Sequence, residues 1–349
     1  MQDYKMFNEN LYNSKYHNID LSKYSFLVTG GAGFIGSNLV EYLLKYNAGK
    51  VRVLDNLSNG YFENIECFSK LPNFEFIKGD IRDLETCKIA VKGINFISHQ
   101  AALGSVPRSI LDPITSNEVN VSGFLNMLFA AKESDTLKKM VYAASSSTYG
   151  DSEKLPKIEG NEGTPLSPYA VTKLVNELYA DVFSRIYDFN TIGLRYFNVF
   201  GPKQNPNNPY AAVIPIFCKH FIDGTIPIIN GQGNTSRDFT FIENVVQANI
   251  LTMLEGVVDK SCKVELENKH EVFNVACGDQ ISLNEIILIL NEINQTNIIP
   301  KYGPERKGDI LHSKASIEKL KNSFNYIPKV KFKEGLSVVF KWYFQKYHS

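Results

Sequence analysis

Tyr169 and Lys173 stand four residues apart near the start of a long predicted helix. At this spacing both side chains lie on one face of a helix, one turn apart. A phenol is a poor base at neutral pH because its ordinary pKa is about 10, and a nearby ammonium group stabilises the phenolate and lowers that pKa. We therefore predict that Tyr169 exchanges a proton with a substrate, with Lys173 as its electrostatic partner.

The spacing alone is weak evidence, because Tyr46 and Lys50 share it. Gly49 breaks that helix and a strand follows at once, so we discount the second pair. A hydroxyl-rich segment over 144–150, which includes three consecutive serines, distinguishes the first pair. It ends a predicted parallel strand, where open α/β sheets bind their ligands. These hydroxyls could bond to a substrate oxygen and the phenol, or could only cap the following turn.

A glycine-rich turn with the sequence TGGAGFIG (29–36) follows the first predicted strand and opens the first helix. Glycine allows the backbone to turn tightly and to approach a pyrophosphate, and the helix N-terminus supplies N–H groups and a positive dipole. Asp55 ends the second strand, where a carboxylate can accept hydrogen bonds from the adenosine ribose. This charge favours NAD over NADP as the cofactor, because it would repel a 2′-phosphate. Asp80, at the end of the third strand, could reach the adenine or be a solvated turn residue.

The elements that must position these residues alternate between short apolar strands and helical patterns from Ser25 to Asp188. Such alternation is typical of a parallel sheet with crossover helices, so the predicted fold class is α/β, with a doubly wound parallel Rossmann sheet and a smaller C-terminal substrate-binding α/β region. The predicted strands are 26–29, 51–55, 74–79, 94–99, 140–145 and 191–196, and the predicted helices are 35–46, 84–91, 120–132 and 169–187.

The regular alternation of predicted strands and helices ends after Gly201, where a loop rich in proline and asparagine begins. We predict an NAD-binding Rossmann domain over 1–201, to which the segment 238–258 returns. The nucleotide-sugar-binding domain is predicted over 202–237 and 259–349. Tyrosine and phenylalanine residues in the first twenty-odd positions predict an extension that docks onto the domain rather than a free tail.

Composition excludes several classes of function. Lys plus Arg and Asp plus Glu both number 37, and the two signs are interspersed, so the basic footprint of a nucleic-acid partner is missing. No apolar run approaches the roughly 18 residues that span a membrane, and the first twenty residues lack a secretory signal, so we expect a cytoplasmic protein. The five cysteines form no CxxC pair and the six histidines have no ligand spacing, so we predict no disulfide framework and no metal.

Taken together, these segments resemble the extended short-chain dehydrogenase/reductase family, in its group of NAD-dependent nucleotide-sugar epimerases and dehydratases. The resemblance runs from Tyr24 to about Lys341. The motifs that carry it are TGGAGFIG (29–36), LDN (54–56), GDIRD (79–83), HQAA (99–102), SSSTYG (145–150), SPYAVTK (167–173), LRYFNVFGP (194–202) and TSRDFTFIENV (235–245). Within the family, HQAALGSVPRSI followed by DPI and the triple serine is similar to bacterial UDP-N-acetylglucosamine 4-epimerases of surface-polysaccharide pathways.

The resemblance implies catalytic roles by position. Tyr169 would be the base and acid at the sugar 4-OH, and Lys173 would hold the nicotinamide ribose. Ser145 stands where galactose epimerases carry their catalytic serine, and Ser146 and Ser147 would add hydroxyls toward the sugar, with Ser146 also counted as catalytic. Dehydratases carry an acidic residue in this short segment, so dehydration is disfavoured. The residues implied in cofactor binding are Gly30, Gly33, Phe34, Ile35, Gly36, Asp55, Asn56, Asp80, Ile81, Gln100, Ala101, Tyr169 and Lys173.

A diphosphate needs cations, and the sequence offers Arg237 and Arg306, each suited to bidentate phosphate contacts, although either could form a surface ion pair instead. In the family both positions bind the diphosphate. The resemblance further implies that Asn198 donates to the diphosphate, that the backbone at Ala212 and Val213 meets the uracil, that Asp309 meets the ribose or a nearby arginine, and that Ser105 and Arg108 border the sugar.

Ser313 carries the inference about the sugar. Galactose epimerases restricted to plain hexoses have a bulky Tyr four residues after the Asp that aligns with Asp309, and this chain has Ser313 there. The missing ring would leave room for a 2-acetamido group. The alternative is an exposed serine before the last helix.

We therefore predict a UDP-N-acetylglucosamine 4-epimerase that interconverts UDP-GlcNAc and UDP-GalNAc by transient C4 oxidation with tightly bound NAD, in O-antigen or capsule precursor synthesis. One alternative is a UDP-N-acetylglucosaminuronate or UDP-glucuronate 4-epimerase, for which Arg108 is the candidate cation near a C6 carboxylate. A remote alternative is a non-catalytic NAD-binding sensor, against which the intact Tyr169 and Lys173 argue.

Two predicted helices carry apolar stripes that either belong to the core or form a homodimer seam, as is common in the family. The stripes consist of Leu125, Leu128, Phe129, Val175, Leu178 and Val182.

Overall fold

The computed structural model describes residues 7–206, 212–254, 269–305 and 311–348. The strands are β1 (Ser25–Thr29), β2 (Lys50–Asp55), β3 (Phe74–Lys78), β4 (Phe96–His99), β5 (Lys139–Ser145), β6 (Thr191–Tyr196), β7 (Val199–Phe200), β8 (Ile228–Asn230), β9 (Ser236–Arg237), β10 (Thr240–Phe241), β11 (His270–Val275), β12 (Ile281–Ser282) and β13 (Lys301–Gly303). The α-helices are α1 (Phe34–Lys45), α2 (Leu84–Val91), α3 (Val106–Leu111), α4 (Pro113–Asn117), α5 (Gly123–Lys132), α6 (Pro168–Tyr187), α7 (Val213–Ile222), α8 (Ile242–Leu254), α9 (Leu283–Asn294), α10 (Glu318–Phe324) and α11 (Phe332–His348).

A seven-stranded sheet in the order β11-β6-β5-β4-β1-β2-β3 forms the centre of the molecule. All its neighbouring strands are parallel. The order reverses between β1 and β4, and in open α/β sheets the crevice beyond the carboxyl ends at such a point binds ligands. The predicted α/β fold with a doubly wound parallel sheet is confirmed.

The helix predicted over 120–132 is divided in the structure. A π-helical turn covers Glu118–Ser122, and α5 starts only at Gly123. The Asn120 carbonyl accepts a hydrogen bond of 2.7 Å from the Asn176 side chain, which competes with the regular helical bonding at this point. Sequence periodicity cannot show such a contact, because Asn176 belongs to a different helix.

Two segments beyond residue 201 pack on or pair with the seven-stranded sheet. Helix α8 lies against it, where the Asn249 side chain donates to the Tyr196 hydroxyl at 2.9 Å and Lys139 donates to the Thr252 carbonyl at 2.9 Å. Strand β11 pairs with β6 along its whole length, although it lies within 259–349, which we assigned to the other domain. This pairing satisfies the backbone groups that β6 would otherwise expose as an edge strand. The domain boundaries themselves stay a prediction.

The N-terminal segment docks onto α1 and α8 from residue 7 onward. Tyr12 and Tyr16 are buried. The Tyr12 hydroxyl donates to Asn38 at 2.7 Å, and the Tyr16 hydroxyl donates to the Glu243 carboxylate at 2.5 Å. For these residues the expected docking is confirmed.

Among the described residues, no helix combines the length and the apolar character that crossing a membrane requires.

Candidate active site

A cleft opens at the carboxyl ends of β1, β2, β4 and β5, at the switch point of the sheet. Most predicted site residues come together there. The predicted residues that line it are Gly30, Gly33, Phe34, Ile35, Gly36, Asp55, Asn56, Asp80, Ile81, Gln100, Ala101, Ser145, Ser146, Tyr169, Lys173, Asn198 and Ala212.

The glycine turn has a backbone conformation and close backbone contacts that residues with a Cβ could not adopt. Gly30 has a φ of +65°, and a Cβ on it would lie 2.7 Å from the Ala101 nitrogen. A Cβ on Gly36 would lie 2.2 Å from the Gly30 carbonyl oxygen. Gly33 immediately precedes α1 and offers no side-chain cap, so the first N–H groups of this helix are available to an anion. The turn therefore fits the pyrophosphate of a dinucleotide.

Asp55 is buried at the end of β2, beside this turn. Its carboxylate accepts hydrogen bonds from the backbone of Ala32 at 2.9 Å and of Leu57 at 2.8 Å. Burial raises the pKa of the carboxyl, and the two backbone bonds oppose that rise. Asp55 thus fixes the backbone at Ala32 and Leu57 and also lines the cleft, as a ribose-binding carboxylate would.

Asp55→Ala is expected to weaken NAD retention and to reduce discrimination against NADP, because it removes the predicted ribose acceptor and its negative charge. The check is the NAD content of purified protein, together with the dissociation constants for NAD and NADP. Glu66→Ala removes an exposed carboxylate outside the cleft and serves as the control. Unchanged cofactor content and preference in Asp55→Ala would remove Asp55 from this role.

Asp80 forms an ion pair with Arg82. Its carboxylate pairs with Arg82 at 2.8 Å and accepts from the Asn56 side chain at 2.9 Å. Hydrogen bonding from Arg82 is the main cause that lowers the pKa of Asp80 to about 2. Asp80 therefore fixes Asn56 at the rim of the cleft, while its predicted contact with the adenine stays a prediction.

Tyr169 and Lys173 lie one turn apart on α6, as their spacing predicts. Ser167 caps this helix by accepting from the Ala170 N–H at 3.2 Å, and Pro168 is its first residue, a favoured helix start. The Lys173 ammonium nitrogen lies 6.0 Å from the centre of the Tyr169 ring and donates to the Ala143 carbonyl at 2.8 Å. Burial lowers the pKa of Lys173 to about 8, and the charge of Glu177 opposes that shift.

The pKa of the Tyr169 phenol is raised above its ordinary value, not lowered as we expected from the neighbouring ammonium. Burial raises it, and hydrogen bonding with Ser145 opposes the rise only in part. Lys173 directs its ammonium group to a carbonyl rather than to the phenol oxygen. Activation of the phenol would therefore need further positive charge in the cleft.

The three serines have different positions. Ser145 caps a short 3-10 turn over Ser146–Tyr149 and accepts from the Ser147 backbone at 3.2 Å and from its hydroxyl at 2.9 Å. It also interacts with the Tyr169 phenol, so Ser145 both caps the turn and makes the expected contact with the phenol, whereas its bond to a substrate oxygen stays a prediction. Ser146 lines the cleft, whereas Ser147 reaches it only through Ser145.

The residues predicted to bind the substrate are less closely grouped than those predicted to bind the cofactor. Ser105 caps α3, where its hydroxyl accepts from the Arg108 N–H at 3.2 Å, and its neighbour Gly104 lines the cleft. Val213 packs against the core at the start of α7, whereas Ala212 beside it lines the cleft.

Arg237 and Ser313 lie on adjacent segments, and neither of them is among the residues that line the cleft. The Ser313 N–H donates to the Ser236 carbonyl at 3.0 Å. The Arg237 guanidinium donates to the same carbonyl at 3.0 Å and to the Leu311 carbonyl at 3.3 Å. Arg306 and Asp309 lie outside the described residues.

Sequence reasoning missed the loop over 203–205, and also Ser58, Asn59, Gly60, Tyr61 and Asn64, in the lining of the cleft. Lys203, Gln204 and Asn205 line it just beyond the LRYFNVFGP motif, which was quoted only to Pro202. The Asn205 side chain donates to the Tyr61 hydroxyl across the cleft at 2.6 Å. The loop could have been suspected from its proximity to the motif, but not its contact with the distant Tyr61.

His99 is a packed residue of the sheet rather than a base. It is buried, and its ring nitrogen Nδ1 lies 2.8 Å from the Thr29 hydroxyl. Burial lowers the pKa of this imidazole to about 3, so it is neutral at physiological pH. Within the described ranges, no three His, Cys, Asp or Glu residues are grouped so that they could hold a metal.

Comparisons with known proteins agree with this geometry. Residues 26–276 match the model of the NAD dependent epimerase/dehydratase family. A structure of UDP-N-acetylglucosamine 4-epimerase from Methanobrevibacter ruminantium M1, in complex with UDP-N-acetylmuramic acid, has 37% sequence identity and a TM-score of 0.83, and the match covers 93% of this chain and 99% of that one.

Curated relatives carry related names. A putative UDP-glucose 4-epimerase of Methanocaldococcus jannaschii is 35% identical over 318 residues, which cover 90% of this chain and 97% of the relative. A UDP-glucuronate 4-epimerase of Thermodesulfobacterium geofontis is 30% identical over 325 residues, 91% of this chain and 95% of its own. The resemblance expected from the motifs is confirmed, and the chain belongs to the NAD-dependent epimerase/dehydratase family.

Proposed function

We propose that this protein is a UDP-sugar 4-epimerase that interconverts UDP-GlcNAc and UDP-GalNAc for surface-polysaccharide synthesis. The observation that carries the proposal is the grouping of Tyr169, Lys173 and Ser145 at the end of β5, in the same cleft as the glycine turn. The names of the relatives support 4-epimerisation of a UDP-sugar but differ in the sugar.

NAD, when bound, would supply the acceptor and donor for the hydride of the sugar C4. Tyr169 would take the proton of the 4-OH and give it back, which is general base and acid catalysis. Ser145 interacts with the phenol and would bond to the same sugar oxygen. Lys173 is buried beside them and would hold the cofactor ribose with its ammonium group.

Epimerisation requires the hydride to return to the opposite face, so the 4-keto sugar must turn within the cleft. The diphosphate must then stay anchored while the sugar part remains free to rotate. Small residues line the cleft, among them Ala102, Gly104 and Ser146, and would leave room for such rotation. Arg237 and Arg306 are the proposed anchors.

The preference for an acetamido sugar depends on Ser313. We predict that Ser313→Tyr lowers activity on UDP-GlcNAc more than on UDP-Glc, because the added ring would occupy the proposed N-acetyl pocket. The expected change in the ratio of kcat/KM values is roughly tenfold or more, from an overpacking cost of about 1 to 3 kcal/mol. Ser313→Ala, which adds no ring, is the control and should keep the ratio. If Ser313→Tyr reduces both activities equally, Ser313 does not line that pocket.

A uronate epimerase is the second candidate. A relative is named as a UDP-glucuronate 4-epimerase. Arg108 donates at 3.3 Å to the side chain of Asn59, which lines the cleft. This cation could bind a C6 carboxylate.

One assay separates these candidates. Purified protein is incubated in parallel with UDP-GlcNAc, UDP-Glc and UDP-GlcNAcA, without added NAD, and the products are resolved by anion-exchange chromatography or NMR. We expect UDP-GalNAc to form fastest. Faster conversion of the uronate would favour the second candidate, and no conversion of any substrate by NAD-loaded protein would favour a non-catalytic sensor.

We also propose a homodimer formed through α6 together with α3 and α4. Leu128 of α5 is fully buried and belongs to the core, whereas Leu125 and Phe129 of the same stripe and Val175 of α6 are only partly buried. Leu178 and Val182 of α6, in contrast, are exposed. Further exposed apolar residues on these helices are Val106, Ile110, Leu111, Ile114, Val171 and Ile186. Exposed apolar surface of this extent is typical of an interface.

Leu178→Glu is expected to convert the dimer to a monomer, because it places a charge in the centre of an apolar interface. Light scattering after size-exclusion chromatography would measure the mass. Ile89→Glu on α2 is a matched control, since Ile89 is 63% exposed and Leu178 59% exposed, but Ile89 lies outside the proposed face. A wild-type monomer, or a dimer that survives Leu178→Glu, would contradict this interface.

A further inference from the structure

Asp238 is a fully buried carboxylate in the turn between β9 and β10. Its three hydrogen-bond donors are backbone N–H groups from distant parts of the chain. Cys277 donates to Oδ1 at 3.0 Å, and Gly278 and Ala315 donate to Oδ2 at 3.0 and 3.2 Å. The carboxylate thus joins the turn after β11 and the segment around residue 315 to the turn between β9 and β10.

The segments that meet at Asp238 carry residues proposed for substrate binding. Arg237 precedes it directly, and Ser313 lies two residues before Ala315. The backbone carbonyl of Asp238 accepts from the Asn198 side chain at 3.0 Å. Through its side chain and its backbone carbonyl, this one buried residue therefore contacts or adjoins every described segment to which we assign contact with the diphosphate or the 2-substituent of the sugar.

We propose that Asp238, in its ionised form, is a positioning residue for the nucleotide sugar, which holds the segments of Arg237, Asn198 and Ser313 in the arrangement that binds it. This inference builds on the proposed function. Asp238 does not line the cleft and touches no reacting group, so its effect belongs to binding rather than to the proton transfer at Tyr169.

The chemistry of the contact requires a carboxylate. An ionised carboxylate offers only acceptors, and it can satisfy all of the N–H groups that face it. An amide or a protonated acid instead presents a hydrogen toward one of those donors. A buried N–H left without an acceptor costs about 1 to 3 kcal/mol, so such a change is expected to shift the segments.

Protonation of the Asp238 carboxylate provides an independent test of this contact. Burial raises the pKa of Asp238 to about 6, while the three backbone bonds oppose the rise and the charge of Asp279 adds to it. The other titratable groups near it are the Cys277 thiol and the Tyr326 phenol, both of which have pKa values raised mainly by burial, and the adjacent Arg237. His312 is also close, with its ring nitrogen Nδ1 2.8 Å from the Ser236 hydroxyl. Asp238 is expected to gain a proton as the pH falls from 7.5 to 5.5, and substrate affinity should fall with it. The comparison with Asp238→Asn separates this effect from that of other titratable groups.

The test compares wild-type protein, Asp238→Asn and Asp279→Asn, all loaded with NAD. Binding of UDP-GlcNAc is measured by calorimetry at pH 7.5 and 5.5, and KM and kcat are measured at both values. UDP-GlcNAc is the probe because neither of its phosphates titrates in this range. Asp279→Asn removes the neighbouring exposed carboxylate and is the matched control.

At pH 7.5, Asp238→Asn is expected to raise Kd and KM by about tenfold, with kcat and NAD content near wild type. Wild-type protein and Asp279→Asn should lose affinity at pH 5.5, whereas Asp238→Asn should show little further loss. If Asp238→Asn fails to fold, the pH dependence of the wild-type Kd decides: a Kd independent of pH would overturn the inference.

Two further outcomes are distinguishable. Asp238→Asn that binds UDP-GlcNAc as tightly as wild type, or that loses kcat at unchanged KM, would overturn the role of Asp238 alone. Folded wild-type protein that binds no UDP-sugar would overturn the proposed function, and this inference with it.

Discussion

Tyr169→Phe is expected to lower turnover of UDP-GlcNAc by roughly 10²- to 10⁴-fold, the usual contribution of general acid–base catalysis. The substitution removes the exchangeable proton but keeps the ring. Tyr169 donates its backbone N–H to the Ser109 hydroxyl at 3.0 Å, and this contact does not depend on the side chain. The start of α6 and the position of Lys173 should therefore persist, and NAD should stay bound.

The measurement is kcat in the epimerase assay, with NAD content and thermal unfolding as checks of integrity. Tyr179→Phe, on the same helix but outside the cleft, is the matched control and should turn over at close to the wild-type rate. Activity near wild type in Tyr169→Phe would show that another group exchanges the proton.

Gly36→Ala is expected to lower the amount of NAD that the purified protein retains. The new Cβ would lie 2.2 Å from the Gly30 carbonyl oxygen, far inside a normal contact. The turn cannot easily retreat, because Gly30 donates to the Leu54 carbonyl at 2.8 Å and lies against Ala101 on its other side. We expect NAD binding to weaken by at least about tenfold, since overpacking against backbone costs about 1 to 3 kcal/mol.

Nucleotide released on denaturation of the purified protein measures this effect. Ser37→Ala alters the next helical position, removes only a 3.2 Å hydrogen bond to the Phe34 carbonyl, and should retain NAD. Full NAD content in a folded Gly36→Ala variant would mean that the turn can move, and that its glycines are not a requirement of cofactor binding.

Sequence by itself was sufficient for features that depend on neighbours along the chain. The strand at 191–196 and the helix at 84–91 were predicted with the bounds that the structure shows, because their periodicity and flanking residues are local. The glycine turn and the Tyr169–Lys173 spacing are likewise local, since a backbone conformation and a helical face are set within a few residues. Strand ends then place these groups in one cleft by the general rule for parallel sheets.

Tertiary structure alone decided the properties that depend on contacts between distant segments, namely burial, pKa shifts and long-range hydrogen bonds. Burial raises the pKa of Tyr169 where the sequence indicated a lowering, because desolvation depends on the packing around the phenol. Leu128 is buried and Leu178 exposed, although both belong to similar apolar stripes. Asp238 receives its hydrogen bonds from residues 39 to 77 positions away, and no local pattern specifies those donors. Charge, solvation and long-range hydrogen bonding are set by the completed fold, which is why they could not be predicted from the sequence.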